Sequence, residues 1–161
     1  SKGVNKPQQY LEVVKRMHDH GIGVKGSFIF GFDTDDEGVF ERTLEFAAKA
    51  KIDVVYYSIL TPYPGTALYE KMVAEGRIID YDWDHYNTHN VVFQPKLMTP
   101  EKLFEGYWAA FRESFSCPGI FRRMWGNGTK YNFFFPMNFG YRQSIRKAMA
   151  ALQFPASPVL S

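Results

Sequence analysis

The sequence predicts an α/β protein in which parallel βα units are followed by a mainly helical C-terminal extension. Three observations carry that reading. Two apolar, β-rich runs, residues 24–32 and 53–60, lack the alternation of a half-exposed strand and suit strands covered on both faces. One amphipathic helix pattern separates them, and Val24 to Asp53 is 29 residues, about the length of a βαβ unit with its right-handed crossover. After Thr99 the aromatic residues recur at helical spacing, and no further strong strand follows.

Each element has a local reason. Pro7 suits a first helical turn, with Asn5 or Lys6 near the cap. Leu11, Val14, Met17 and His18 form one face, and Gly21 ends the run. Thr34-Asp35-Asp36-Glu37 reads as a capping box for a helix that carries Val39, Phe40, Thr43, Leu44, Phe46, Ala47 and Ala50 on one side. Thr61-Pro62-Tyr63-Pro64-Gly65 excludes helix and central strand, and Thr66 caps a helix closed by Gly76. Residues 80–90 read as a loop, and Val91-Val92-Phe93 as at most a short strand. Thr99-Pro100-Glu101 starts a helix through Leu103, Phe104, Tyr107, Trp108, Phe111 and Phe115. Cys117-Pro118-Gly119 reads as a break. A short helix over 121–125, a turn at Gly126-Asn127-Gly128, a final helix near 141–152 and a frayed end at 155–158 complete the chain.

The chain has 161 residues, with 45% apolar and 22% charged, which fits an ordinary globular domain. No apolar run reaches the roughly 20 residues of a spanning helix. The single Cys117 excludes a disulfide framework and any all-thiolate metal site built from this chain. Nothing resembles a signal peptide, so a reduced, cytoplasmic setting is expected. A start at Ser1 without Met is what a processed product or an excised fragment would show. Two strong strands of the doubly covered kind need neighbours along their edges, so the chain is expected to complete a larger sheet or barrel with a missing segment or a second chain.

Charge divides unevenly. Residues 1–113 carry 13 Lys and Arg against 17 Asp and Glu, whereas residues 114–161 carry six cations, ten aromatics and no acid. The tail Tyr131-Asn132-Phe133-Phe134-Phe135, with Arg142, Arg146 and Lys147, has three readings. It packs on the rest of the protein, docks peripherally on an anionic membrane, or binds single-stranded nucleic acid. Three consecutive Phe lack the one-sided pattern of an interfacial helix, which favours packing and disfavours nucleic acid as a partner. Asp80, Asp82, Asp84, His85 and His89 could ligate a metal, but Asp is also a common turn former and a solvated loop is the simpler reading.

Residues 18–35, 40–47 and 57–68, including Phe30-Gly31-Phe32-Asp33 and Leu60-Thr61-Pro62-Tyr63-Pro64-Gly65-Thr66, resemble radical S-adenosylmethionine (SAM) enzymes. The resemblance is to the fifth and sixth strand–helix units of their partial TIM-type barrel. It is strongest to members with an N-terminal cobalamin-binding domain and a C-terminal extension. It implies barrel units over residues 1–79 and a helical, aromatic, basic extension over 80–161. It also implies a SAM-binding wall, reductive SAM cleavage or radical methyl transfer in the parent, and a small-molecule or lipid substrate. The implied cofactors are SAM, a 4Fe–4S cluster held by the missing N-terminal half, and, in the cobalamin-binding members, cobalamin. The family's Cys-x3-Cys-x2-Cys loop is absent here, so the chain alone is not expected to generate a radical.

Ligands of such barrels sit at the C-terminal strand ends, which places Phe30, Gly31, Phe32, Asp33, Leu60, Thr61 and Pro62 near the adenine and ribose of SAM. Gly31 would admit an aromatic ring close to the backbone, and Phe30 or Phe32 would stack on it. Alternatively, Gly31 only eases the turn and Asp33 only caps it. The competing function is a non-catalytic α/β module that docks on a membrane or partner through the basic aromatic tail.

Overall fold

The computed structural model describes residues 7–126 and 131–151. The expected cap at Asn5 or Lys6, the Asn127-Gly128 part of the expected turn and the 155–158 end lie outside them. The elements run α1 (Pro7–Asp19), β1 (Lys25–Phe30), α2 (Val39–Lys49), β2 (Val54–Ile59), α3 (Ala67–Ala74), α4 (Pro100–Ser114), α5 (Cys117–Met124) and α6 (Tyr131–Ala151), with a 3-10 turn at Trp83–His85. The fold is α/β: β1 and β2 pair in parallel, from Lys25 opposite Val54 to Phe30 opposite Ile59.

Local chemistry sets the clean boundaries. Gly21, at φ 71°, closes α1 while the amides of Gly21 and Ile22 donate to the His18 and Met17 carbonyls. Thr66 and Thr99 cap α3 and α4 through their hydroxyls, which accept from the Tyr69 and Lys102 amides. The helix α2 departs from expectation. It begins at Val39 with Gly38 as its N-cap, and the Thr34 capping box does not form. The acidic side chains turn elsewhere: Asp36 accepts from the Gly38 amide and pairs with Arg42, and Asp35 accepts from the Gly31 and Phe32 amides.

Two further boundaries differ. The expected break at Cys117-Pro118-Gly119 is a helix start, because Ser116 accepts from the Gly119 amide and Pro118 sits in the first turn, where no intrahelical donor is required. The last helix begins ten residues early and runs through Pro136. The bond lost there is to the carbonyl of Asn132, an exposed residue whose carbonyl water can serve. Val91–Phe93 contributes only a bridge, Phe93 opposite Ile78.

At the end of α2, Lys51 occupies the left-handed region at φ 56°, and the Ile52 amide closes the cap on the Ala47 carbonyl. A side chain there costs about 1–2 kcal/mol relative to glycine. Lys51→Gly is therefore expected to raise the unfolding temperature by a few degrees, about 1 kcal/mol, in a thermal melt.

The sheet has two unlike faces. Phe28 and Phe30 share one face with Val55, Tyr57 and Ile59, under α2 and α4. Phe30 stacks on Tyr57 at 5.4 Å and meets Phe40 at 4.8 Å, and Phe28 lies edge-on to Phe46. Burying each such ring contributes about 1.5–3 kcal/mol. The opposite face carries Lys25, Ser27, Ile29, Val54, Tyr56 and Ser58. It is open along β1, where Ile29 is 47% exposed, and covered along β2, where Val54 is buried and Tyr56 meets Phe111 of α4. The described residues thus cover one face of β1 and leave the other without the cover expected for it. The run in β1 is apolar throughout its centre, which hides a real alternation. Among the described residues, β1 hydrogen-bonds to β2 and to no other strand.

A polar network lies beneath the strand starts. Arg123, 2% exposed, donates to the carbonyls of Ile52, Asp53 and Ser114 and to Asn138 Oδ1 at 2.9–3.1 Å. Asn138 in turn donates to the Asp53 and Phe134 carbonyls. On the other side, the Asp53 carboxylate pairs with His18 Nε2 at 2.9 Å and accepts from the Val24 amide at 2.7 Å. Together these tie α1, α4, α5 and α6 to the base of the sheet.

Candidate cofactor-binding wall

The seven expected wall residues gather at the C-terminal ends of the two strands, because the parallel register sets Phe30 beside Ile59 and the Leu60 amide donates to the Phe30 carbonyl. Within that group the side chains part company. Phe30, 1% exposed, belongs to the helix-side core, whereas Phe32 is 45% exposed. Thr61 and Pro62 are buried, and the Thr61 hydroxyl donates to the Ile59 carbonyl. Leu60 is half-buried.

Gly31 has φ 104°, a conformation that side chains avoid. A Cβ built there would stand 3.0 Å from Leu103 and 3.1 Å from Phe93. The ring that comes close to this glycine is thus the chain's own Phe93. The Gly31 and Phe32 amides are both occupied by Asp35 at 3.0 Å, so Asp35, not Asp33, braces the turn.

Asp33 faces cations instead. It accepts from Lys71 and Arg77 at 2.8 Å, with Lys96 at 3.4 Å and Glu75 sharing the same cations. The hydrogen bond from Lys71, followed by that from Arg77, holds its carboxyl down at about 2. A lowered carboxyl stabilises the fold above its unfolded value near 3.8, and that contribution is lost as pH falls through about 2. Asp33→Asn is therefore expected to lower the urea midpoint at neutral pH, and the gap from the parent should close between about pH 4 and pH 2. A gap independent of pH would show that the carboxylate charge is not what holds this corner.

Sequence reasoning missed the open face itself. Ile29 and Ser58 lie on the face opposite the core, while Tyr56 on that face meets Phe111 of α4 edge-on at 6.3 Å and His89 edge-on at 6.5 Å. Strict strand alternation, applied from Phe30 backwards, would have found Ile29. The Asp80 loop does not form a cation cage: His85 pairs with Asp80 at 2.6 Å, Asp82 caps the 3-10 turn and His89 turns to Tyr107. Among the described residues no group of three or more His, Cys, Asp or Glu converges as a metal site. A separate groove of about 510 Å³, lined by Phe40, Phe104, Trp108 and Met149, lies on the helical side, where Phe40 backs onto Phe30 at 4.8 Å.

An exposed ring and an exposed branched aliphatic beside open strand ends suit a flat, aromatic ligand with polar edges, as the adenosyl part of SAM is. The same residues do not suit an iron–sulfur cluster, since the one thiol, Cys117, is exposed at the start of α5. The family model described as a domain of unknown function, DUF4070, matches residues 66–153. The chain belongs to this family, a C-terminal domain of B12-binding-associated radical SAM proteins.

Similar proteins include the bacteriochlorophyllide d C-12(1)-methyltransferase of Chlorobaculum tepidum, 38% identical over 147 residues, which is 91% of this chain and 31% of that protein. The bacteriochlorophyllide d C-8(2)-methyltransferase of the same organism is 28% identical over 60% of this chain and 22% of its own length. The anaerobic magnesium-protoporphyrin IX monomethyl ester cyclase of Cereibacter sphaeroides is 25% identical over 71% of this chain and 18% of its own. The chain thus spans a third or less of each of these relatives. Among the described residues no helix is long and apolar enough to cross a membrane.

Proposed function

We propose that this chain supplies the last two βα units and the covering domain of a cobalamin-type radical SAM enzyme that methylates a tetrapyrrole. In this reading residues 1–79 complete a partial TIM-type barrel, and residues 80–161 close over it. The observation that carries it is the open second face of β1, where Ile29 is exposed, with Phe32 exposed just beyond the strand end. That is how barrel strands meet their ligands: helices outside, side chains of the other face inside, and cofactor at the C-terminal ends. The similarity to two bacteriochlorophyllide methyltransferases supports the substrate class. When bound, SAM supplies the group transferred. Phe32 stacks on its adenine, Ile29 covers the ring from the strand side, and Asp35 keeps the turn in the shape that exposes Phe32. The 4Fe–4S cluster and cobalamin belong to parts of the protein outside these residues.

The test is anaerobic incubation of the complete enzyme with SAM, a reductant and bacteriochlorophyllide d. A product heavier by one methylene is expected. Phe32→Ala should raise the SAM Kd about three- to tenfold, the worth of one stacked ring, without changing the melting temperature. Undiminished SAM affinity would remove Phe32 from the wall, and an unmodified pigment would remove the substrate class.

A further inference from the structure

One polar side chain on the open face has a defined orientation and an unused donor. Tyr107 of α4 is fully buried, and its hydroxyl lies 2.6 Å from His89 Nδ1, its one hydrogen-bond partner among the described residues. Burial raises the Tyr107 phenol above its ordinary pKa, so it stays protonated. A buried phenol must place its proton on an acceptor, and Nδ1 is the acceptor within reach. Neutral His89 then carries its own proton on Nε2. That Nε2 has no partner among the described residues, and the ring stands edge-on to Tyr56, which also receives Lys25 at 5.0 Å and meets Phe111 of α4 at 6.3 Å.

The backbone supports this presentation. Thr88, directly before His89, has φ 67°, a strained conformation for a β-branched residue. Two bonds hold it there: the Ile59 amide donates to the Thr88 carbonyl at 2.7 Å, and the His89 amide donates to Asn87 Oδ1 at 3.1 Å. The edge of β2 therefore fixes where the imidazole stands.

We propose that His89, oriented by Tyr107, donates its Nε2–H inside the barrel to an oxygen of the substrate, a keto or carboxylate group on the tetrapyrrole. This rests on the reading of the sheet face that carries Ile29 and Tyr56 as the barrel interior. His89 is a substrate-binding residue and Tyr107 a positioning residue that sets its tautomer.

The complete enzyme, with bacteriochlorophyllide d as probe, tests both. His89→Leu should raise the KM for the pigment about tenfold, the worth of one such hydrogen bond, and leave SAM affinity unchanged. His89→Gln, which keeps an N–H near the Nε2 position, should recover most of that loss. Nitrogen-15 NMR of the imidazole should show Nδ1 unprotonated in the parent and a mixture of tautomers in Tyr107→Phe. An unchanged KM in His89→Leu, a failure of His89→Gln to do better than leucine, or a protonated Nδ1 in the parent overturns the assignment. If the parent does not bind the pigment, the tetrapyrrole reading and the ligand named here both fall, and the tautomer measurement still decides the arrangement of His89 and Tyr107.

Discussion

Arg123→Ala is expected to lower the free energy of unfolding by about 3–5 kcal/mol, a large share of the total for a domain of this size. The guanidinium is shut away from water, and burial holds its pKa down at about 10, so it remains charged at neutral pH. Its cost of burial is offset by four acceptors, the carbonyls of Ile52, Asp53 and Ser114 and the Asn138 side chain. It also lies over the Phe115 ring at 5.5 Å. Alanine leaves most of those acceptors buried without a donor, at about 1–3 kcal/mol each, together with a cavity where the side chain stood. Arg123→Lys should recover part of the loss, because one ammonium can serve one pair of carbonyls but not both ends of the network. Urea unfolding followed by circular dichroism measures it. A change below about 1 kcal/mol for alanine would mean that water replaces the guanidinium and the site is not sealed.

Gly31→Ala is expected to cost about 2–4 kcal/mol through two separate effects. A side chain at φ 104° is strained whatever its surroundings. The added methyl would also press on Leu103 and Phe93, both fully buried and unable to withdraw into solvent. Gly31→Val, with a branched side chain, should be worse. Such a substitution reads folding before it reads ligand binding, so a loss of SAM affinity in Gly31→Val carries weight only if the melting temperature is preserved. Phe32→Ala avoids that confusion, since its ring is half in solvent.

Elements whose ends are set by neighbours in sequence were readable. Gly21 after α1, Thr66 and Gly76 around α3, and Thr99-Pro100 before α4 each act within one helical turn. The start of α2 was not readable, because Thr34, Asp35 and Asp36 are all competent caps and only the folded turn shows that Asp35 binds backwards to Gly31 and Phe32. Proline misled at Pro118, where position within the helix decides whether its missing donor matters, and the last helix, expected near 141–152, starts earlier and runs through Pro136. For the wall, the strand ends were found from motif and composition, but the sidedness was not. Phe28, Ile29 and Phe30 are all apolar, yet Ile29 alone faces away from the helices. The partners of Asp33 lie 38 and 44 positions away and leave no local signature.

The unpaired margin of β1 has a consequence for handling the chain by itself. Its main-chain donors and acceptors form a ready template onto which any extended peptide can be zipped, a second copy of the same ribbon included. Lys25 and Gly26 at one end blunt that template, while Phe28 and Ile29 further along do nothing to discourage it. Polymerisation from this margin is the hazard to guard against whenever these residues are prepared by themselves.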